Sequence, residues 1–136
     1  KYSELQAAWG LVLLKRYNKI KTLRQKVYKY YSKYLNKDIR IALANHNENN
    51  FSYIPIIIKN EKILRLIRKN LFKIGVETRR YFYPTVDVLT NIETTKKLNT
   101  SRFISKQILC LPTSEYIKIS EIIKISKIIN RTYEKN

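Results

Sequence analysis

The densest group of chemically competent side chains is Glu77 to Asp87, ETRRYFYPTVD. Arg79 and Arg80 can each grip a phosphate through paired N–H donors, and Tyr81 or Tyr83 can stack on a ring or hydrogen-bond a sugar hydroxyl. Pro84 fixes a turn beside them. The same composition also suits a surface strand on which arginine stems lie over aromatic rings. A second candidate is Lys1 to Leu11, which sets Lys1, Tyr2 and Glu4 at a helix start, where free amides and the helix dipole favour an anion such as a phosphate.

The remaining reactive side chains are isolated. Cys110 lies in the apolar run ILCLP, where a thiol acts as a small buried hydrophobe. His46 stands in a polar loop with no carboxylate at any motif spacing, and Asp38 and Asp87 are far apart along the chain. One cysteine and one histidine cannot build a structural zinc site or an internal disulfide, so no metal site is expected. Gly10 and Gly75 are the only glycines, which excludes a glycine-rich phosphate loop. By its own residues the chain holds no self-sufficient active site.

Charge is the other conspicuous feature. Lys and Arg total 28 against 10 Asp and Glu, a formal net charge of +18. Such an excess can neutralise phosphates of a nucleic acid. Here the lysines are spread along the whole chain rather than gathered in one run, which favours solvated helix faces. Of the 11 tyrosines, Tyr28, Tyr30, Tyr31 and Tyr34 fall at helical core and rim spacing, so packing accounts for them better than a stacking platform.

The elements that must carry these residues follow from periodicity and capping. Ser3 and Gln6 form a capping-box pair, and Leu5, Trp9, Val12, Ile20, Leu23, Val27, Tyr30 and Tyr34 recur at three and four, predicting one amphipathic helix to about Leu35. Asn36 to Asn50 reads as a loop, with a short strand at Ile39 to Ala42. Phe51 to Lys59 reads as a strand that Pro55 pushes toward an edge or a bulge. Asn60 caps a helix of roughly 14 residues with Ile63, Leu64, Ile67 and Leu71 on its inner face and Gly75 as terminator. Val76 to Tyr83 is a predicted strand, Asn91 to Ser105 a polar stretch with a fainter helical pattern, and Ile108 to Leu111 a strand stopped by Pro112. Ser120 to Ile129 is a helix with Ile122, Ile125 and Ile129 in one stripe. The predicted class is α/β: a long N-terminal helix, then a small sheet covered by helices. No apolar run approaches the roughly 18 residues of a membrane span, and no signal peptide is evident.

The 136 residues start at Lys1 and include no Met, and they are read as one small domain that is a fragment of a longer chain. Lys1 to Arg16, KYSELQAAWGLVLLKR, resembles a segment of the DegT/DnrJ/EryC1/StrS family of pyridoxal-phosphate-dependent sugar aminotransferases. Gly75 to Pro84, GVETRRYFYP, and Ile108 to Pro112, ILCLP, are similar to two later family blocks in the same order. A helix like Ser120 to Ile129 is expected at the family's C-terminus.

The resemblance implies that residues 1–136 are the smaller C-terminal domain of a fold-type I transferase, with a large cofactor-binding domain upstream. It implies pyridoxal 5'-phosphate as cofactor, an amino acid such as glutamate as donor, and a nucleotide-linked keto-deoxysugar as acceptor, for polysaccharide or glycan biosynthesis. The lysine that bonds the cofactor would lie upstream, so no catalytic residue is assigned here. Lys1 and Tyr2 match the cofactor-binding segment. Tyr83, with Arg80 and Phe82, matches the substrate side. A homodimer with the active site at the subunit interface and a cytoplasmic location are implied. A sugar dehydratase of the same family is the alternative enzyme, and a small basic nucleic-acid-binding module the alternative of another class.

Overall fold

The structure, a computed structural model, describes residues 3–43, 49–89 and 98–136. The first helix, α1, spans Glu4–Tyr34 and opens with the expected box: the Gln6 amide donates to Ser3 Oγ at 3.3 Å and the Ser3 amide to Gln6 Oε1 at 2.9 Å. Then come β1 (Arg40–Ile41), β2 (Ile54–Ile57) and α2 (Glu61–Phe72). A 3-10 turn at Val86–Val88, α3 (Asn99–Ser105), β3 (Ile108–Leu111) and α4 (Ile119–Glu134) complete the order. No described helix is long and apolar enough to cross a membrane.

The three strands form an antiparallel sheet in the order β1-β2-β3. Ile54, Ile56 and Ile58 alternate onto one face. There they meet Leu109 and Leu111 of β3, Ile63, Leu64, Ile67 and Leu71 of α2, and Ile122, Ile125 and Ile129 of α4. α1 joins this core only through its C-terminal half, by Val27 and Tyr31. The helix stripe therefore runs through Tyr31, with Tyr30 and Tyr34 stacked beside each other at its half-buried rim. The first half of α1 leaves Leu5, Trp9, Leu11, Val12 and Leu14 exposed.

Two strand expectations are corrected. Pro55 sits in the central strand, not at an edge. Its carbonyl accepts from the Ala42 amide at 2.8 Å, and the donor it lacks would fall opposite Ala42, where β1 has already ended. On the other side Pro55 faces Cys110, whose own amide and carbonyl pair with Arg79. The β2–β3 ladder thus needs no proton from Pro55. Val76 to Tyr83 is not a strand: its one ladder contact is the Arg79–Cys110 bridge, with N···O distances of 2.7 and 3.3 Å. Of the polar stretch Asn91 to Ser105, the described part is helical at α3, and residues 90–97 lie outside the described residues, as does His46. Cys110 is buried, as its apolar run implies.

Candidate functional site

The site is built where α2 begins, α3 ends and residues 77–84 pass between them. Asn60 accepts the Ile63 amide through Oδ1 at 3.0 Å, which fixes the first turn of α2 and with it Glu61. Glu61 Oε1 then accepts from two arginines. Arg65, one turn later, donates from Nε at 3.2 Å and Nη2 at 2.9 Å, and Arg80 donates from Nη1 at 3.2 Å. Arg80 Nη2 donates to the carbonyl of Ser105, the last residue of α3, at 2.9 Å.

These bonds hold Arg80 inside the fold, with a side chain only 7% exposed. The Arg80 guanidinium carbon lies 3.5 Å from the centroid of the Tyr83 ring, close enough for a strong cation–π contact. Tyr83 is thus carried on a cation that the two helix ends grip. Glu61 is held below the usual carboxylate range, first by the Arg65 hydrogen bonds and then by Arg80. Arg65 is pushed up in turn by Glu61 and, in smaller part, by the Tyr83 hydroxyl.

Around this base the rings fan outward. Tyr81 packs edge-on against Tyr53 at 5.0 Å and against Phe82 at 5.2 Å. Phe82 is 73% and Tyr83 42% exposed. An open groove runs past Tyr81 to Pro84 and is flanked by Arg68, Arg79 and Arg80. Arg68 and Arg79 are the exposed cations of this groove, and the Arg79 pair with Glu77, at 3.6 Å between two exposed side chains, is a weak constraint. The arrangement can accept an anion beside a ring-bearing or hydroxylated group.

Arg80, Phe82 and Tyr83 are therefore brought together, but Arg80 turns Nη1 to Glu61 and Nη2 to the Ser105 carbonyl instead of presenting a fork to the groove, and its buried Nε has no hydrogen-bond partner. Lys1 and Tyr2 lie outside the described residues. Sequence reasoning missed Glu61, Arg65 and Ser105. Only the Glu61–Arg65 spacing of one helical turn carried a signal.

The cofactor implied by the resemblance can be tested against the same residues. A lysine that bonds an aldehyde cofactor needs an enclosed cavity, and no lysine is buried among the described residues. Lys69, Lys124 and Lys135 line only open surface grooves. At the start of α1 the Ser3 and Gln6 side chains already take two of the amides an anion would use. The described residues do not by themselves form a pocket for pyridoxal phosphate.

The model of the DegT/DnrJ/EryC1/StrS aminotransferase family matches residues 1–130. Among solved structures, the chain is similar to Spr1654 from Streptococcus pneumoniae in its PLP form, with a TM-score of 0.84 and 19% identity over 99% of this chain and 36% of that one. It is similar to Helicobacter pylori PseC, an aminotransferase involved in the biosynthesis of pseudoaminic acid, with a TM-score of 0.82 and 17% identity over 100% of this chain and 38% of that one. It is also similar to DesI, solved in the presence of its TDP-sugar product, with a TM-score of 0.79 and 23% identity over 98% of this chain and 37% of that one. The chain spans little more than a third of the length of these proteins. No curated protein sequence matches it.

Proposed function

The chain belongs to the DegT/DnrJ/EryC1/StrS aminotransferase family, and we propose that it serves as the small C-terminal domain of a pyridoxal-phosphate-dependent sugar aminotransferase. The whole protein moves an amino group from an amino acid, glutamate in this reading, to a nucleotide-linked keto-deoxysugar destined for a surface polysaccharide or glycan. It works in the cytoplasm as a homodimer whose active site lies at the subunit interface. Pyridoxal phosphate supplies the electron sink for that chemistry. Its principal contacts belong to parts of the protein other than the described residues.

In this reading the part played by the chain's own residues is substrate recognition. Phe82 and Tyr83 offer exposed rings beside a basic groove, which suits a sugar carried on a diphosphate. Tyr83 bonds a sugar hydroxyl, and Lys1 and Tyr2 contribute to the cofactor side. The exposed first half of α1 docks on the rest of the protein or on the second subunit. The observation that carries the reading is the family match through residues 1–130.

The test gives the whole protein 15N-labelled glutamate and a thymidine-diphosphate keto-deoxysugar. Appearance of 15N in the sugar nucleotide is expected, and its failure to appear with every donor and acceptor of these classes overturns the proposal. Borohydride reduction with pyridoxal phosphate followed by peptide mapping is expected to fix no pyridoxyl group to a lysine within residues 1–136. A single modified lysine there overturns the domain assignment.

A further inference from the structure

We propose that Glu61 is a positioning residue for the substrate-facing ring of Tyr83, acting through Arg80. This deepens the reading of Phe82 and Tyr83 as substrate contacts and rests on it.

The argument starts from charge. Arg80 is almost wholly buried, and a buried guanidinium without an opposite charge is costly. Among the described residues, Glu61 is the acid that pairs with it, and Glu61 does so through the same Oε1 that accepts twice from Arg65. One carboxylate therefore compensates two cations that would otherwise repel each other. The Ser105 carbonyl adds direction at the far end of the guanidinium, at 2.9 Å, and supplies no charge. Glu61 itself is fixed by the Asn60 cap of α2.

Geometry carries the argument onward. The planar guanidinium, held at one end by α2 and at the other by α3, becomes a rigid platform, and the Tyr83 ring lies on its face at 3.5 Å. Without Glu61 the platform keeps only the uncharged Ser105 carbonyl and loses the charge that offsets the repulsion of Arg65, so the ring's seat is held at one end alone. Residues placed by a rigid supporting shell bind with less loss of conformational freedom than residues left mobile. The consequence for recognition is a division of labour. Arg80 holds the ring, and the exposed Arg68 and Arg79 of the same groove remain available for an anion.

The experiment uses the full chain, 15N-labelled, and follows the Arg80 Nε–H signal by NMR. In the unmodified chain the Tyr83 ring is expected to shift this signal upfield; Tyr83→Leu should abolish the shift, which assigns it, and Tyr83→Phe should retain it. Glu61→Gln is expected to return the signal toward the position of a solvated arginine while the amide signals of β2, β3 and α4 stay in place. Arg80→Lys, which keeps the charge and loses the plane, is expected to weaken binding of thymidine diphosphate glucose, the sugar-nucleotide probe, as much as Glu61→Gln does, by roughly tenfold. If Glu61→Gln unfolds the chain, Glu61→Asp, which keeps the charge and falls one methylene short, is expected to give the same loss of shift in part. An Arg80 signal unchanged in both Glu61 variants overturns the proposal. If the signal responds as expected but the probe disturbs nothing in residues 77–84 of the unmodified chain, Glu61 still positions Tyr83 and the substrate-facing reading is the one that fails.

Discussion

Arg102 Nε donates to Asp87 Oδ2 at 2.7 Å, and the Asp87 side chain has no exposure to solvent. The same oxygen accepts from the Leu98 amide at 3.3 Å. One carboxylate thus ties the segment that follows Pro84 to the start of α3, and α3 in turn presents the Ser105 carbonyl to Arg80. The groove that carries Phe82 and Tyr83 is therefore braced from behind by two acid–arginine pairs, Asp87–Arg102 and Glu61–Arg80.

The first prediction concerns acid. The Asp87 carboxyl is held below its ordinary range, first by the Thr85 side chain and then by Arg102 and the Leu98 amide, against the opposing effect of burial. A carboxyl depressed in the folded state adds stability that is complete above the unfolded value, about 4, and is lost as pH falls through the folded one. Thermal melts should be flat from neutral pH to about pH 5 and drop steeply below about pH 4. Asp87→Asn should lower the melting temperature at pH 7 and flatten the acid limb. A variant with an unaltered acid limb would refute this role.

Arg80→Ala and Arg79→Ala separate a buried cation from an exposed one. Removing Arg79 touches only an exposed pair with Glu77 and should change stability by no more than about 0.5 kcal/mol. Removing Arg80 leaves Glu61 and the Ser105 carbonyl without their shared partner and should lower the melting midpoint clearly more. Parallel urea titrations of the two variants check it, and equal midpoints would contradict the geometry.

In the whole enzyme, Tyr83→Phe should reduce kcat/KM for the sugar nucleotide several-fold while cofactor loading stays intact. The lost bond is one neutral hydrogen bond, worth on the order of 0.5–1.5 kcal/mol. Steady-state kinetics with the amino-acid half-reaction as control checks it. A loss of cofactor instead would move Tyr83 to the cofactor side.

Gly75 follows α2 with φ at +77°, and a Cβ added there would meet nothing within 4 Å. The cost of Gly75→Ala is then backbone conformation alone, about 1 kcal/mol, and Gly75→Asn should cost less because Asn tolerates the left-handed region. Equilibrium unfolding of both variants measures the order, and Ala more stable than Asn would exclude a left-handed terminator.

How far these features were legible depends on the distance along the chain between partners. Ser3 with Gln6, Asn60 with the Ile63 amide, Gly75 after α2 and the Ile122, Ile125, Ile129 stripe are all local, and each is found where spacing predicts it. Pro55 by its missing donor predicts an edge or a bulge, but edge or centre is decided by where β1 stops, which Pro55 does not encode. The segment from Val76 to Tyr83 has the residue types of a strand, yet beyond Arg79 its side chains are committed to rings and helix ends instead of a ladder. At the candidate site the rings and arginines of residues 79–83 were visible as a cluster. The role of Arg80 was not, since its partners stand 19 residues before it and 25 after it.

The last prediction concerns the free face of α1. Leu5 is 81% and Trp9 67% exposed, and Leu11, Val12 and Leu14 continue the apolar surface along a helix half that adds no residue to the core. Such a surface in water gains by being covered, at about 25 cal/mol for each Å² buried. The purified chain should therefore associate as its concentration rises and bind a hydrophobic dye when dilute. Trp9, the single tryptophan, reports the event: its emission should be that of a solvated indole in dilute solution and shift to the blue as association proceeds. Leu5→Glu combined with Leu14→Glu should suppress both effects without lowering the melting temperature, because neither side chain belongs to the core. A chain that stays monomeric at high concentration, binds no dye and keeps a red Trp9 emission would count against this face as a docking surface.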